Sequence, residues 1–180
     1  IFTAIGDRHS QGIALNGLGQ SFENLHEYPL ALSNYEKALR IFQDRGALDL
    51  ASAATYKIAK VYRLMDRLDQ ALILYERCVA LSRAAGKVRT EANALVEIAI
   101  VYDRLGHPDK ALQQHERILR FYESIGDRRG LAIELNANGD FLVRLGKKQQ
   151  ALAAYKRALV LAEMVRDNGI LLSTFYNLAR

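Results

Sequence analysis

The chain has 180 residues, of which half are hydrophobic, two are proline and none is tryptophan. Its formal net charge of +5 comes from 25 basic and 20 acidic residues, which are interleaved as on a solvated helical surface. A lone cysteine, Cys78, excludes an internal disulfide. No apolar run is long enough to span a membrane, and the N-terminus lacks a basic segment followed by an apolar one. We therefore expect a cytoplasmic protein without membrane contact.

One nine-residue motif returns at a fixed interval of 40 residues. Its copies are ALSNYEKAL at 31–39, ALILYERCV at 71–79, ALQQHERIL at 111–119 and ALAAYKRAL at 151–159. A fixed period of this size is typical of stacked helical hairpins, each of which buries its faces only against its neighbours. The chain is therefore predicted to be a repeat array.

Apolar residues at helical spacing predict two helices in each period. First helices are expected at 10–27, 48–65, 88–105 and 128–145, and second helices at 29–44, 68–85, 108–125 and 148–166. Turns are predicted at Tyr28-Pro29, Asp66-Arg67, Gly86, 106–108, 126–127 and Gly146, because proline and glycine end or restart helices. Asn168-Gly169 repeats that stop, and 170–180 begins a fifth first helix.

These elements predict an all-α fold, a right-handed α-solenoid of stacked antiparallel helix hairpins with about four and a half repeats. The repeats are expected at about 8–47, 48–87, 88–127 and 128–167 of a single array, with partial repeats at 1–7 and 168–180. Because the chain begins inside a repeat and ends inside a helix, we expect a fragment of a longer protein. Small residues facing each other allow the helices of a hairpin to approach closely, as at Gly19 and Ala31.

With these positions the chain resembles the tetratricopeptide repeat family. That family's pattern of large, aliphatic, small and aromatic residues, then alanine and a second aromatic, is met by Leu15, Leu18, Gly19, Phe22, Ala31 and Tyr35. Thr55, His115 and Asn138 depart from it, and the period exceeds the usual one of about 34. The longer form looks like the repeats of polarity adaptors, kinesin light chains and bacterial signalling proteins.

In that family the first helices line a concave groove that holds a peptide or a partner domain. Carried over by position, the resemblance implies a groove lined by Asn16, Gln20, Tyr56, Lys60, Arg63, Asn93, Val96, Ile100, Arg104, Ile133, Asn136, Asp140 and Arg144. Most tyrosines are expected in the core, whereas Tyr56 and Tyr176 are expected on the groove. The carboxylate clamp of chaperone-binding members is absent, so chaperone recognition is not expected.

Residues that resemble catalytic or metal-binding motifs have simpler interpretations. His115-Glu116 begins a zinc-protease motif, but Leu119 stands where the second histidine is needed, which favours a core histidine in place of a tyrosine. Cys78 has no histidine at a useful spacing, which favours a structural thiol. We predict no enzyme activity, no catalytic residue, no metal and no cofactor.

The main hypothesis is therefore a protein-interaction scaffold that binds a peptide segment or a partner domain in the groove. An alternative is the sensor or regulatory arm of a larger bacterial signalling enzyme, fused to a caspase-like protease or an ATPase, in which the partner is an intramolecular effector domain. A weaker alternative is nucleic-acid binding through Lys57, Lys60, Arg63 and Arg67, a basic stripe that Arg104 and Arg144 could extend, although acidic residues interrupt it. Apolar residues near the ends, Ile1, Phe2, Phe175, Tyr176 and Leu178, predict end-to-end self-association.

Overall fold

The structure, a computed structural model, describes residues 7–179, and that range contains nine α-helices and no strand. The helices are α1 (Arg8–Asn24), α2 (Tyr28–Asp44), α3 (Leu48–Leu64), α4 (Leu68–Ala84), α5 (Val88–Arg104), α6 (Pro108–Ser124), α7 (Arg128–Arg144), α8 (Lys148–Val165) and α9 (Asn168–Leu178). None of these helices is long and apolar enough to cross a membrane. The all-α fold of helical hairpins predicted from the period is confirmed.

A left-handed residue follows each of the first eight helices, at every twentieth position of the chain. Five of these residues are glycines, from Gly46 to Gly146, and the other three are His26, Asp66 and Arg166. Glycine adopts this conformation without the steric cost that other residues pay. The identical spacing shows that each hairpin connection has the same geometry.

Two predicted boundaries differ from the structure. Helix α1 ends at Asn24, and Pro29 lies in the first turn of α2, where its missing N–H breaks no helical hydrogen bond. The left-handed residue that ends α8 is Arg166, whereas Asn168 and Gly169 form the first turn of α9. Asp167 caps α9 by accepting hydrogen bonds from the backbone N–H groups of Gly169 and Ile170. The connection between α8 and α9 therefore ends before Gly169.

The described residues form two compact units, one that ends at His107 and one that begins at Pro108; we call them the first and second units. In the first unit the core joins α2 to α3 through Tyr35, Phe42 and Ile58, all buried. Gly19 of α1 lies so close to Tyr35 that a Cβ atom there would stand 2.6 Å from the ring Cδ1. The small residue of the repeat pattern thus makes room for the buried tyrosine of the second helix.

The second unit repeats this arrangement between α7 and α8, where Gly139 lies against the ring of Tyr155. Helix α9 adds Ile170 and Thr174, both buried. His115 of α6 takes the place of the second aromatic and packs 5.0 Å from Phe141, measured between ring centroids. Its Nδ1 lies 2.6 Å from Oε1 of the buried Glu134, and burial raises the pKa of that carboxyl.

A candidate ligand-binding face on the first helices

The groove residues expected from the sequence lie on α1, α3 and α5 of the first unit and on α7 of the second. Within each unit, we use the name first-helix face for the side of these helices that carries them, which in the second unit includes the matching side of α9. In the first unit this face is held together by charged side chains that link each first helix to the next. Each link pairs a basic side chain with an acidic one, which lies on a neighbouring first helix or in the turn after it.

The first link joins α1 to α3 through Glu23, whose side chain is 5% exposed. Lys60 Nζ donates a hydrogen bond to Glu23 Oε1 at 2.7 Å, and Tyr35 Oη donates to Oε2 at 2.8 Å. A buried carboxylate is tolerated only when donors of this kind satisfy it. Lys60 is therefore committed to an internal contact.

The second link joins α3 to α5. Arg63 Nε lies 2.8 Å from Glu97 Oε2 as an ion pair without an aligned hydrogen bond, while Tyr56 Oη donates a long hydrogen bond of 3.4 Å to Glu97 Oε1. Burial and the Glu97 charge raise the pKa of Tyr56 to about 12. The ring of Tyr56 also packs edge-on against Tyr75, 5.7 Å away. Two more predicted groove residues thus stabilise the repeat itself.

The third link connects α5 to the turn after α3, where Arg104 Nη2 donates to Asp66 Oδ1 at 2.7 Å. Its Nη1 donates to the backbone carbonyl of Arg63 at 3.3 Å. With Lys60 and Arg63 also paired, a bound phosphate would have to compete with an internal carboxylate at three basic positions. This arrangement disfavours the predicted basic stripe as a nucleic-acid contact.

The remaining groove residues of the first unit offer uncharged surface. Ile100 is 42% exposed, Asn93 is also exposed, and Val96 is half-buried one helical turn before Ile100. Asn16 and Gln20 of α1 are half-buried as well, and the Gln20 side-chain amide donates to Asn24 Oδ1 at 3.1 Å. The face therefore presents apolar and amide groups between fixed ion pairs.

In the second unit the predicted groove residues lie on α7. Ile133, Asp140 and Arg144 are exposed, whereas Asn136 is buried. The Asn136 amide nitrogen donates to Thr174 Oγ1 at 2.7 Å, and Asp140 Oδ1 accepts a hydrogen bond from Tyr155 Oη at 2.7 Å. The guanidinium of Arg144 lies over the Phe141 ring, 5.1 Å from its centroid.

A cavity of about 690 Å³ lies between α7 and α9. It is lined by Asn136, Ala137, Asp140, Gly169, Leu172, Ser173, Tyr176 and Asn177. The sequence analysis placed Asn136, Asp140 and Tyr176 on the groove. Extending the groove positions by one more period also reaches Ser173 from Ile133, and this signal would have identified a second residue of the wall that α9 supplies.

The structure assigns no reactive role to Cys78. Its side chain is fully buried, its Sγ lies 3.3 Å from the backbone carbonyl of Ser52, and burial raises its pKa to about 12. A thiol with that pKa stays protonated at neutral pH and is a poor nucleophile. Across residues 7–179, no group of three or more His, Cys, Asp and Glu side chains is arranged to hold a metal ion.

Comparison with known proteins identifies the repeat. Residues 49–124 match the tetratricopeptide repeat family, and no curated protein matches the sequence. Aspartyl phosphate phosphatase F from Bacillus subtilis shares the fold with a TM-score of 0.82 at 12% identity, over 95% of this chain and 45% of that one. The apo form of RapI gives 0.77 at 16% identity, over 92% and 61% of the two chains.

The structure of MamA gives a TM-score of 0.65 at 20% identity, over 86% of this chain and 80% of that one. This chain spans about half the length of the phosphatase and less than two thirds of RapI. At such identities the likeness concerns the fold, which is that of stacked helical hairpins in the order found here. The segment at 49–124 thus matches tetratricopeptide repeats, and the helices on either side of it within residues 7–179 follow the same 20-residue spacing.

Proposed function

We propose that the chain is a non-catalytic protein-interaction scaffold, which binds a peptide segment or a partner domain on its first-helix face. The observation that carries this proposal is the exposure of isoleucine on first helices, at Ile100 and Ile133, which are 42% and 48% exposed. On the first unit's face, neighbouring charges are engaged in ion pairs, so binding there would bury apolar surface without stripping water from free charges. Burial of such surface favours association.

A structural neighbour supports a binding role. A Rap protein that was crystallised in complex with competence and sporulation factor shares the fold, with a TM-score of 0.74 at 14% identity. That protein therefore binds another molecule, and this chain covers 48% of its length. We infer from the shared fold that the present chain binds its own ligand, whose chemistry is set by its own side chains.

A second candidate function is the regulatory arm of a larger signalling enzyme. The observation that favours it is that this chain covers 45% of a protein named as an aspartyl phosphate phosphatase. In this alternative the first-helix face contacts an effector domain of the same protein. Added to a separately expressed effector domain, the chain should then change its activity, and Ile100→Glu should abolish the effect while Ile73→Glu preserves it.

The proposal is tested by affinity capture from the source cell's lysate with three forms of the chain. Wild type is compared with Ile100→Glu on α5 and with Ile73→Glu on α4, a second-helix residue that is 69% exposed. Both substitutions place a carboxylate on an exposed isoleucine, so their effect on folding is matched. Variants of Lys60 or Tyr56 are less suitable, because these side chains hold the repeats together.

A protein retained by wild type and by Ile73→Glu but lost with Ile100→Glu supports binding on the first-helix face. A captured protein that is lost only with Ile73→Glu would place the binding surface on the second helices and contradict the proposal. Equal melting temperatures of the two variants would show that a difference in capture comes from the changed surface and not from unfolding.

A further inference from the structure

Two departures from the repeat pattern meet inside the second unit. His115 of α6 stands where the other second helices carry tyrosine, at Tyr35, Tyr75 and Tyr155. Glu134 of α7 stands where the earlier first helices carry alanine, at Ala14, Ala54 and Ala94. The two exceptions contact each other, with 2.6 Å between His115 Nδ1 and Glu134 Oε1. A histidine and a glutamate together thus replace a tyrosine and an alanine at this point of the array.

The contact between the two side chains is almost closed to solvent. His115 and Glu134 are 13% and 5% exposed, and the imidazole ring lies 5.0 Å from the ring of Phe141, measured between centroids. The alanines at the position of Glu134 on α3 and α5 are fully buried, so the carboxyl group occupies a core position. A buried carboxylate is costly unless a donor or a cation satisfies it, and α6 supplies that partner as His115.

Neighbouring helices bring no second charge to the pair. Helix α7 packs against α6, α8 and α9, and α9 has no charged residue between Asn168 and Leu178. The charged residues of α8 are all exposed, and on α6 only Arg117 is half-buried besides His115 and donates to Gln114. Tyr122 of α6 is the other titratable group near Glu134. Within residues 7–179, His115 and Glu134 therefore have only each other as charged partners.

The net charge of the pair depends on its protons. With one dissociable proton held between Nδ1 and Oε1, the pair is neutral overall and its hydrogen bond is charge-assisted. Once that proton leaves, a buried carboxylate faces a neutral imidazole, and one negative charge is left without compensation. Burial raises the pKa of Glu134, so the folded chain holds a proton at this site more tightly than the unfolded chain does.

We propose that His115 and Glu134 form a proton-dependent latch, which holds α6 against α7 while the pair keeps its proton and loosens as the pH rises. The stability that Glu134 contributes is complete below the ordinary pKa of a glutamate and is lost as the pH rises through the raised value. Histidine supplies the physiological range, because its charge ordinarily changes between about pH 5 and 8. Helix α6 buries only Ala111 and Ile118 completely, so it has few other contacts that could replace the latch.

Hydrogen exchange of the whole chain, measured at about pH 5.5 and pH 8, tests the latch. Each amide rate is divided by the rate of an unstructured peptide at the same pH, so that the protection factor reports opening of a helix and not base catalysis. Wild type is compared with Glu134→Gln, which keeps the size of the side chain but cannot titrate. Glu163→Gln is the matched control, because Glu163 is an exposed carboxylate on α8 of the same unit.

We expect the protection of α6 and α7 to fall by about tenfold between the two pH values in wild type and in Glu163→Gln, the loss typical of one charge-assisted hydrogen bond. Glu134→Gln should show equal protection at both. The double variant His115→Tyr, Glu134→Ala restores the residues of the other hairpins and should likewise be independent of pH. Tyr122 does not contribute, because burial raises its pKa above the ordinary value of 10.0.

Helices α3 and α4 contain no histidine and serve as the reference within the same molecule. Protection of α6 and α7 that changes no more than that of α3 and α4 in wild type would overturn the inference, and this outcome does not depend on the folding of any variant. A wild-type change that persists in Glu134→Gln would also overturn it, because the proton would then belong to another group.

Discussion

Single glycines decide how closely the helices of a hairpin approach. Gly19 and Gly17 belong to the same helix, but a Cβ at Gly19 would meet the Tyr35 ring at 2.6 Å, whereas one at Gly17 meets nothing within 4 Å. Gly19→Ala should therefore lower the free energy of unfolding by about 1 to 3 kcal/mol through overpacking. Gly17→Ala should raise it by about 0.5 to 1 kcal/mol, because alanine restricts the unfolded chain.

Urea denaturation of the two variants measures both changes on a single scale. We expect the two substitutions to change the free energy of unfolding in opposite directions, whereas helix propensity alone would raise it in both variants. A stabilised Gly19→Ala variant would mean that α1 and α2 do not pack through this contact.

The raised pKa of Tyr56, which is half-buried, makes the stability of the chain depend on pH in the alkaline range. Burial and the Glu97 charge raise the pKa of Tyr56 from 10.0 to about 12, so between these values the unfolded state loses its proton while the folded state keeps it. Stability from this group is complete below pH 10 and is lost as the pH rises through 12. Tyr56→Phe should therefore reduce the decrease in unfolding free energy between pH 10 and 12.

Denaturant titrations at several pH values measure that slope. An identical slope in wild type and Tyr56→Phe would show that the Tyr56 hydroxyl is not held against Glu97.

The ion pairs mark the limit of what the sequence reveals at this scale. Lys60, Arg63 and Arg104 were predicted to face a ligand, and in the structure each is paired with an acid of a neighbouring helix or turn. The 40-residue period determines which side of a helix a residue occupies. It does not determine the rotamers that bring two long side chains together, so the ion pairs could not be predicted from the period.

At the scale of the helix, the backbone conformation of each turn depends on the left-handed residue in the connection between two helices. Arg166 adopts this conformation with a φ of 53°, and Gly146 adopts it with 73°. Arg166→Gly should raise the free energy of unfolding by about 0.5 to 1 kcal/mol, since relief of the side-chain clash exceeds the added freedom of the unfolded chain. Gly146→Ala should lower it by about 1 kcal/mol for the reverse reason.

Thermal unfolding of these two variants tests the assignment of the turns. If Arg166→Gly destabilised the chain and Gly146→Ala did not, the two connections would not share one backbone geometry. The sequence analysis recognised the glycine turns but misplaced those at His26 and Arg166, because it looked for glycine and proline. The spacing of twenty residues, counted from Gly46 in both directions, reaches both positions.

For the whole molecule, the sequence was sufficient for the fold because the hairpins repeat most of the same small and aromatic positions. The match to tetratricopeptide repeats at 49–124 includes two departures from that pattern, Thr55 and His115. The array as a single domain stays a prediction, and the structure describes two compact units. The partial repeat expected at 1–7 lies almost wholly outside the described residues.

End-to-end association also stays a prediction. Ile1 and Phe2 lie outside the described residues, while Phe175 and Tyr176 of α9 are 52% and 66% exposed and Leu178 is half-buried. Of the residues that α9 contributes to the cavity, Tyr176 was expected on the groove, whereas Ser173 was missed because the groove position of Ile133 was not continued by one more period.

The central claim is that a partner binds the first-helix face, and site-directed photo-crosslinking tests it most directly. A benzophenone amino acid is placed at Ile100 or Ile133 on first helices and at Ile73 on the second helix α4, all of which are exposed positions. We predict that the captured partner crosslinks to the chain from Ile100 or Ile133 and not from Ile73. Crosslinks from Ile73 alone would show that the partner binds the second helices, and would contradict this account.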